Sequence, residues 1–382
     1  MTVIIDPEIR FIPDEHKIFV LHPGDGKRFY ADFIETNSVF LDIPGVTLPV
    51  AIKIGDEDFR NRLRMAKRIS LWHRSGSKKD AEPSRNPVDY KVKNPSVKAP
   101  RFVHEVYDLY AEAKQGDLII VPGKGYNSTV YIGEIEGAFD PAFLVMSQRY
   151  GLEKIPARKV KWLPVNMSKG QFNRRLIRLM QNRQAIIEVT KERDKRDIYE
   201  FAYGEYIWKE TSGSFIRVSE EDIDVKDLTS AFDLTNYFAS QYIALKKGEL
   251  EAFLNLSFHD AIEEYYDKKY FGGVSVEIHS PGYFGRPMKD IMLAGYVSAM
   301  LALSVTGVSA QDATDVIIAN SANATQSICD EQLEADIRES MEMHANFDLW
   351  EKVVCPKRKA AKRDVGLKTG ASVTIVADDP QP

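Results

Sequence analysis

QGDLIIVPGKGYNSTVYIGEIEG, from Gln115 to Gly137, sets Lys124 between two glycines with Ser128 and Thr129 close behind. These residue types build phosphate-cradling loops: glycines let backbone N–H groups approach the phosphates, while a lysine and the next hydroxyl hold phosphate and metal. The spacing does not fit. Lys124 is followed by Gly125, Tyr126 and Asn127, and the run Thr129-Val130-Tyr131-Ile132 is β-branched and aromatic. That run predicts a strand, not the helix whose N-terminus a phosphate needs. GDGKR at 24–28 fails in the same way. The first segment reads as a hairpin turn whose glycines supply positive φ.

Metal chemistry has few candidates. HEVYD at 104–108 lacks the second histidine of a zinc-protease helix, and no Gly-x-Ser-x-Gly elbow occurs. Asp224-Val225-Lys226 has the Asp-x-Lys spacing of metal nucleases, but its acidic setting, EEDIDVKD, reads as a solvated helix entrance. A second acidic set joins Glu263, Glu264 and Asp267 to Glu277 and His279 on the strand candidate VSVEIHS. Mg²⁺ held by such carboxylates would activate a water for phosphodiester attack. His279 stands where such sites carry a lysine. Glu263, Asp267, Glu277 and His279 form the catalytic alternative, with Mg²⁺ as its cofactor; the leading reading needs no cofactor.

The basic and aromatic residues are more numerous. Arg158, Lys159, Lys161 and Trp162 lie on and beside the strand candidate RKVKWLPV. SKGQFNRRLIRLMQNR adds Lys169, Arg174, Arg175, Arg178 and Arg183, and helical spacing puts 171, 174, 175 and 178 on one face. RLRMAKRISLWHR brings a second stripe to Trp72, and Lys124 and Tyr126 sit at the expected hairpin tip. Cations at such spacing neutralise phosphates, and exposed aromatics stack on bases. For Trp162, between Val160 and Leu163, core packing is an equally good reading.

The elements needed to position these groups follow from periodicity. Strands are expected at KIFVLH (17–22), SVFLDI (38–43), DLIIVP, TVYIGEIEG, RKVKWLPV and AIIEVT; helices at 56–72, at FVHEVYDLYAEA and from an N-cap at Ser168. In 56–72 the apolar spacing is Phe59, Leu63, Ala66, Ile69 and Leu71. Residues 74–100, with four prolines and few apolar residues, predict a flexible surface insertion. A charged linker, KERDKRD, begins at 191. Beyond 230 amphipathic helices dominate, broken by GGVSVEIHS and a loop PGYFGRP. The predicted class is α+β: a small mixed barrel-like domain at 1–190, then an acidic, mostly α-helical domain at 200–382 for oligomerisation or partner docking.

Charge divides along the same line. Residues 1–200 carry 34 Lys+Arg against 27 Asp+Glu, and residues 201–382 carry 17 against 29, within a net charge of −5. Such asymmetry points to a polyanionic partner for the first half. Two cysteines, Cys329 and Cys355, argue against a disulfide scaffold, and the acidic N-terminus has no signal-peptide core, so a cytoplasmic location is expected. Residues 291–310 are uncharged for 20 residues. A buried helix ending near Gly307 is the favoured reading, and a membrane-acting effector is the alternative.

The order KIFVLHPG, SVFLDIPG, FVHEVYDLYAEAKQGDLIIVP, TVYIGEIEG, IPARKVKWLPVNMSKGQFNRRL resembles the N-terminal module of Mrr-like restriction endonucleases, similar in kind to PUA/EVE-like small barrels. Gly116, Asp117, Leu118, Pro122, Gly133, Glu134, Arg158, Val160, Trp162 and Leu163 occupy the matching places over residues 16–190. Two features depart from the family pattern: the 74–100 insertion, and the absence after residue 200 of a recognisable catalytic strand. The resemblance implies a DNA-binding or sensing component of bacterial restriction or antiviral defence. It would bind double-stranded DNA and act as a homo-oligomer or with a separate catalytic protein. Lys124, Tyr126, Arg158, Lys159, Lys161, Arg174, Arg175, Arg178 and Trp72 are the expected nucleic-acid contacts.

Overall fold

The computed structural model describes residues 1–76, 81–92, 99–165, 167–220, 223–272, 275–277, 282–323 and 327–376. The chain is mixed α+β, as expected, and divides into two compact units, 15–195 and 1–14 with 196–382. The division falls between residues 195 and 196, and the first fourteen residues belong to the second unit and not to the expected 1–190 domain. The reason is strand pairing. Thr2–Asp6 is the middle strand between Asp315–Ile318 and Ser372–Val376, and Arg10–Ile12 pairs in parallel with Tyr206–Trp208.

In the unit 15–195 a curled half-barrel sheet runs in the order Ile186–Glu188, Ile18–Leu21, Leu118–Pro122, Thr129–Ile135, Arg158–Trp162, Ser38–Val39, with Met167–Ser168 added to Thr129–Ile135. Ile18–Leu21 and Leu118–Pro122 are parallel; the other pairs are antiparallel. The hairpin register pairs Leu118 with Glu134 and Pro122 with Val130, so 123–128 is its tip. Gly133 faces Trp162, and a Cβ there would come within 2.8 Å of the indole Cε3. The glycine thus makes room for the ring.

Helix Glu57–Arg74 starts at Asp56, whose carboxylate accepts from the Asp58 N–H at 2.9 Å. Phe59, Leu63, Ala66 and Ile69 are buried as their spacing predicts, while Leu71 is exposed. Within the insertion, residues 81–92 lie mostly exposed and carry local structure. Pro87–Tyr90 forms a 3₁₀ turn capped by Asn86, Tyr90 packs against the core, and its hydroxyl donates to the Ser84 carbonyl at 2.8 Å. Residues 77–80 and 93–98 of the insertion lie outside the described residues.

The segment 168–180 also differs. Ser168 forms a capping box with Gln171 around the 3₁₀ turn Lys169–Gln171. The α-helix is Arg174–Met180, and its cap is Asn173, which accepts from Arg175 and Leu176 N–H, each at 3.1 Å. Residue 171 therefore lies outside the helix face it was expected to share. KERDKRD is no linker either: it enters helix Glu192–Tyr203, with Glu192 and Asp194 in the first turn.

The other unit contains the expected helices, among them Val225–Lys247, Phe258–Tyr265, Leu293–Leu303 and Ile328–His344, and a further helix, Cys355–Asp364, in the segment read only as a basic tail. Two sheets that periodicity did not predict join them. One is the three-stranded sheet around Thr2–Asp6. The other has five strands in the order Ser275–Glu277, Gly282–Met288, Thr211–Val218, Tyr206–Trp208, Arg10–Ile12. The expected loop PGYFGRP is mostly strand Gly282–Met288, paired along its length with Thr211–Val218. Leu293–Leu303 has eleven residues, all buried. At 1.5 Å per residue it is about half a bilayer core in length. No described helix is long and apolar enough to cross a membrane.

Candidate nucleic-acid interface

The tip 123–128 is closed by Ser128, whose hydroxyl accepts from the Gly125 N–H at 2.9 Å. Gly123 has no room for a side chain, since a Cβ would collide with Ser128. The turn 168–171 bolts onto this tip. Lys169 N–H donates to Ser128 O at 3.0 Å, Gly170 N–H to Tyr126 O at 2.8 Å, and the Lys169 ammonium to Gly123 O at 2.8 Å. Past the helix Arg174–Met180, Gln181 Nε2 donates to the Tyr126 hydroxyl at 3.3 Å. The hairpin tip and the basic helix, separate in sequence, thus form one surface.

On that surface Lys124 is exposed, Tyr126 is 59% exposed, and Arg174 and Arg178 are exposed one turn apart. Arg175, half-buried, forms an ion pair with Asp194 at 3.1 Å, so its charge is largely spent within the fold. Arg183 is exposed beyond the helix.

At the base of the tip Lys169 and Lys27, noted in the sequence only as members of a basic run and of the GDGKR turn, share an environment with His22. Lys169 is only 5% exposed. Lys27 reaches from the turn Gly24–Arg28 and its ammonium touches Nδ1 of His22. Burial lowers the pKa of Lys169; burial, and then the charge of Lys169, lower that of Lys27 to about 8. His22 is pushed down to about 4 by burial first, then by Lys27 and Lys169, with the Asn182 backbone offsetting part of this. A neutral imidazole with its Nδ1 lone pair toward Lys27 satisfies this geometry. The charge of Lys169 acts on both Lys27 and His22, and no carboxylate is among the described groups acting on Lys27, Lys169 or His22, which leaves the positive charge here unbalanced.

The backbone positions Lys27 at a cost. Gly24 and Gly26 have φ of 70° and 63°, and Lys27 itself sits at 61°, a left-handed conformation that a non-glycine residue seldom takes. A Cβ on Gly24 would meet the Phe29 ring at 2.6 Å. GDGKR is therefore a cation-presenting turn. Its glycine spacing was the available signal, but as a turn and not as a nucleotide loop.

The same turn leads into a polar network. Arg28 Nη2 donates to Asp42 and, at 2.8 Å, to the Tyr150 hydroxyl; Ser70 Oγ donates to Asp42 at 2.9 Å. Asp42 also accepts from the Tyr150 hydroxyl, and burial is the largest cause that raises the pKa of that phenol. Trp72 lies at the rim of this network, edge-on to His73 at 4.8 Å, and His73 is edge-on to Tyr150 at 5.4 Å. Trp72 is half-buried in this ring stack and is not an open stacking platform.

Arg158 requires correction. It is 2% exposed, and its guanidinium donates to Leu109 O at 3.0 Å, Ala113 O at 2.8 Å and Gly137 O at 2.8 Å. It closes the C-terminal carbonyls of the 101–112 helical segment and offers nothing to a ligand. Strand alternation explains this: Arg158, Val160 and Trp162 share one face, and Lys159 and Lys161 the other. Lys159 and Lys161 are exposed; Lys159 lies 5.0 Å from the Phe143 ring centre, and Lys161 is cross-strand from Glu134. Trp162 is half-buried against Tyr131, 5.7 Å between ring centres.

Glu263 is exposed on helix Phe258–Tyr265, Asp267 caps the turn Lys268–Tyr270 and pairs with Lys269 at 2.9 Å, and Glu277 ends the strand Ser275–Glu277. His279 lies outside the described residues. Among the described residues no group of three His, Cys, Asp or Glu side chains could hold a metal ion. Asp224 serves as the N-cap of Val225–Lys247, accepting from Lys226 N–H at 2.7 Å. No family model, curated protein or solved structure matches the chain. The resemblance over residues 16–190 therefore rests on its short segments alone.

Proposed function

We propose that the unit 15–195 binds nucleic acid, with double-stranded DNA as its polymer, through the face that carries the 123–128 tip. The observation that carries this reading is the buried Lys169 ammonium bound to Gly123 O at the base of the tip, close enough to lower the pKa of Lys27, with no carboxylate among the described groups acting on either. A backbone phosphate supplies the missing charge. Lys124, Arg174 and Arg178 extend the cationic surface to neighbouring phosphates, and Tyr126 offers a ring for sugar or base contact. The unit carries 32 Lys+Arg against 22 Asp+Glu, the sign expected of a module that meets a polyanion.

The short-segment resemblance extends the proposal to a cytoplasmic sensor in bacterial restriction or antiviral defence. There the acidic unit would serve oligomerisation or the docking of a separate catalytic protein. Fluorescence anisotropy with labelled duplex DNA, single-stranded DNA and RNA tests the binding claim. Saturable binding is expected, strongest for duplex DNA and weakened about tenfold by Lys27→Ala with Lys169→Ala. If no polymer binds at low salt, the proposal falls. Mg²⁺-dependent plasmid cleavage that disappears in Glu277→Ala would favour the metal-dependent nuclease instead.

A further inference from the structure

We propose that the other unit contains a binding pocket for a small phosphorylated ligand, built around Arg358. A cavity of about 340 Å³ lies beside helix Cys355–Asp364, and its cations are Arg358, Lys362 and Lys368. Its apolar wall includes Val305, Leu367 and Val373. No carboxylate is among the described residues lining it, although residues 1–14 and 196–382 carry 34 Asp+Glu against 19 Lys+Arg. A cationic pocket in an acidic unit goes against the local charge balance.

Arg358 is 3% exposed. Its Nε donates to Leu301 O at 3.1 Å and its Nη2 to Leu367 O at 3.0 Å, while Nη1 is buried without a hydrogen-bond partner among the described residues. The two carbonyls fix the plane of the guanidinium but leave its charge unpaired. Burial lowers the pKa of the group to about 10, which keeps it cationic near neutral pH. A buried guanidinium with a free N–H is costly unless an anion meets it, and its planar fork suits phosphate oxygens. Lys362 and Lys368 are exposed at the edge, where they can reach the remaining oxygens. The volume is at the small end of ligand pockets and fits a phosphate with a modest apolar or aromatic group.

Calorimetry on the full chain with inorganic phosphate, adenosine 5′-monophosphate and adenosine tests this. The nucleotide should bind best, inorganic phosphate more weakly and adenosine not at all. Lys362→Ala with Lys368→Ala, two exposed positions that should fold normally, should lower nucleotide affinity at least about tenfold. Lys27→Ala with Lys169→Ala should leave nucleotide affinity unchanged, which separates this pocket from the interface on the other unit. Arg358→Gln should abolish binding, with circular dichroism reporting whether it has folded. The proposal is overturned if neither phosphate compound binds at millimolar concentration. It is also overturned if the Lys362/Lys368 variant binds as the parent does, or if adenosine binds as well as its monophosphate.

Discussion

The Lys169 ammonium donates to the Gly123 carbonyl over 2.8 Å, joining the base of the hairpin tip to the turn that precedes the basic helix. One side chain therefore places a charge there and fixes the tip that carries Lys124 and Tyr126. Lys169→Met should remove both effects. Leaving the Gly123 carbonyl unpaired should cost about 1–3 kcal/mol of stability, read as a lower urea midpoint. Duplex affinity should fall as well. A variant that loses neither would mean that the contact positions nothing.

Lys27, with its pKa near 8, gives the interface a pH signature. In the free protein it is protonated below about pH 8, and a bound phosphate raises its pKa by supplying the opposite charge. Affinity for duplex DNA should therefore be full below pH 8 and should decline as pH rises above it, with proton uptake on binding. Lys27→Arg, charged throughout, should flatten the profile between pH 7 and 9. The check is anisotropy at constant ionic strength. An equally steep decline in the arginine variant would place the titrating group elsewhere.

Glu205 sets a pH dependence of stability in the other unit. It is fully buried, accepts from Ser214 and Ser298 hydroxyls at 3.1 Å each, and burial pushes its carboxyl up to about 8 from 4.5. Between those values the unfolded chain has released the proton and the folded chain keeps it. Its contribution is thus complete below about pH 4.5 and is lost as pH rises through 8, at about 1.4 kcal/mol per pH unit. Glu205→Gln, neutral at every pH, should reduce that slope by one proton's worth in urea titrations at pH 5, 6, 7 and 8. Glu200, raised by the same burial, leaves a residual slope of the same sign. A slope unchanged in the glutamine variant would contradict the assignment.

Gly133→Ala should destabilise the half-barrel by about 1–3 kcal/mol, because the added methyl meets Val160 and the Trp162 ring. Thermal unfolding followed by tryptophan fluorescence reports it. An unchanged midpoint would mean that the ring moves aside freely.

Local pattern and long-range contact explain what could be read from the chain. Alternation around Gly-Lys-Gly gave the hairpin 118–135, and the Phe59, Leu63, Ala66, Ile69 spacing gave helix Glu57–Arg74. The inward side of Arg158 was available in the same alternation, since it shares parity with buried Val160. The cap at Asn173 was hidden by an equally good candidate at Ser168, which caps a different turn. Other features depend on tertiary pairing that no window contains. Thr2–Asp6 finds its partners at Asp315–Ile318 and Ser372–Val376, and Lys27 feels the charge of Lys169 across 142 residues of chain. The exposed basic residues of the proposed interface were legible in the chain; the shared environment of Lys27, Lys169 and His22 was not.

The salt dependence of duplex binding tests the central claim most directly. Log affinity against log salt should be linear for the parent chain, and Arg174→Ala with Arg178→Ala should reduce its slope by roughly 2, about 0.9 for each lost phosphate contact. Arg158→Lys, buried and structural, should lower the unfolding temperature without altering the slope. A slope that survives the Arg174/Arg178 variant unchanged would show that this face does not meet the phosphates, and the account of the interface would be wrong.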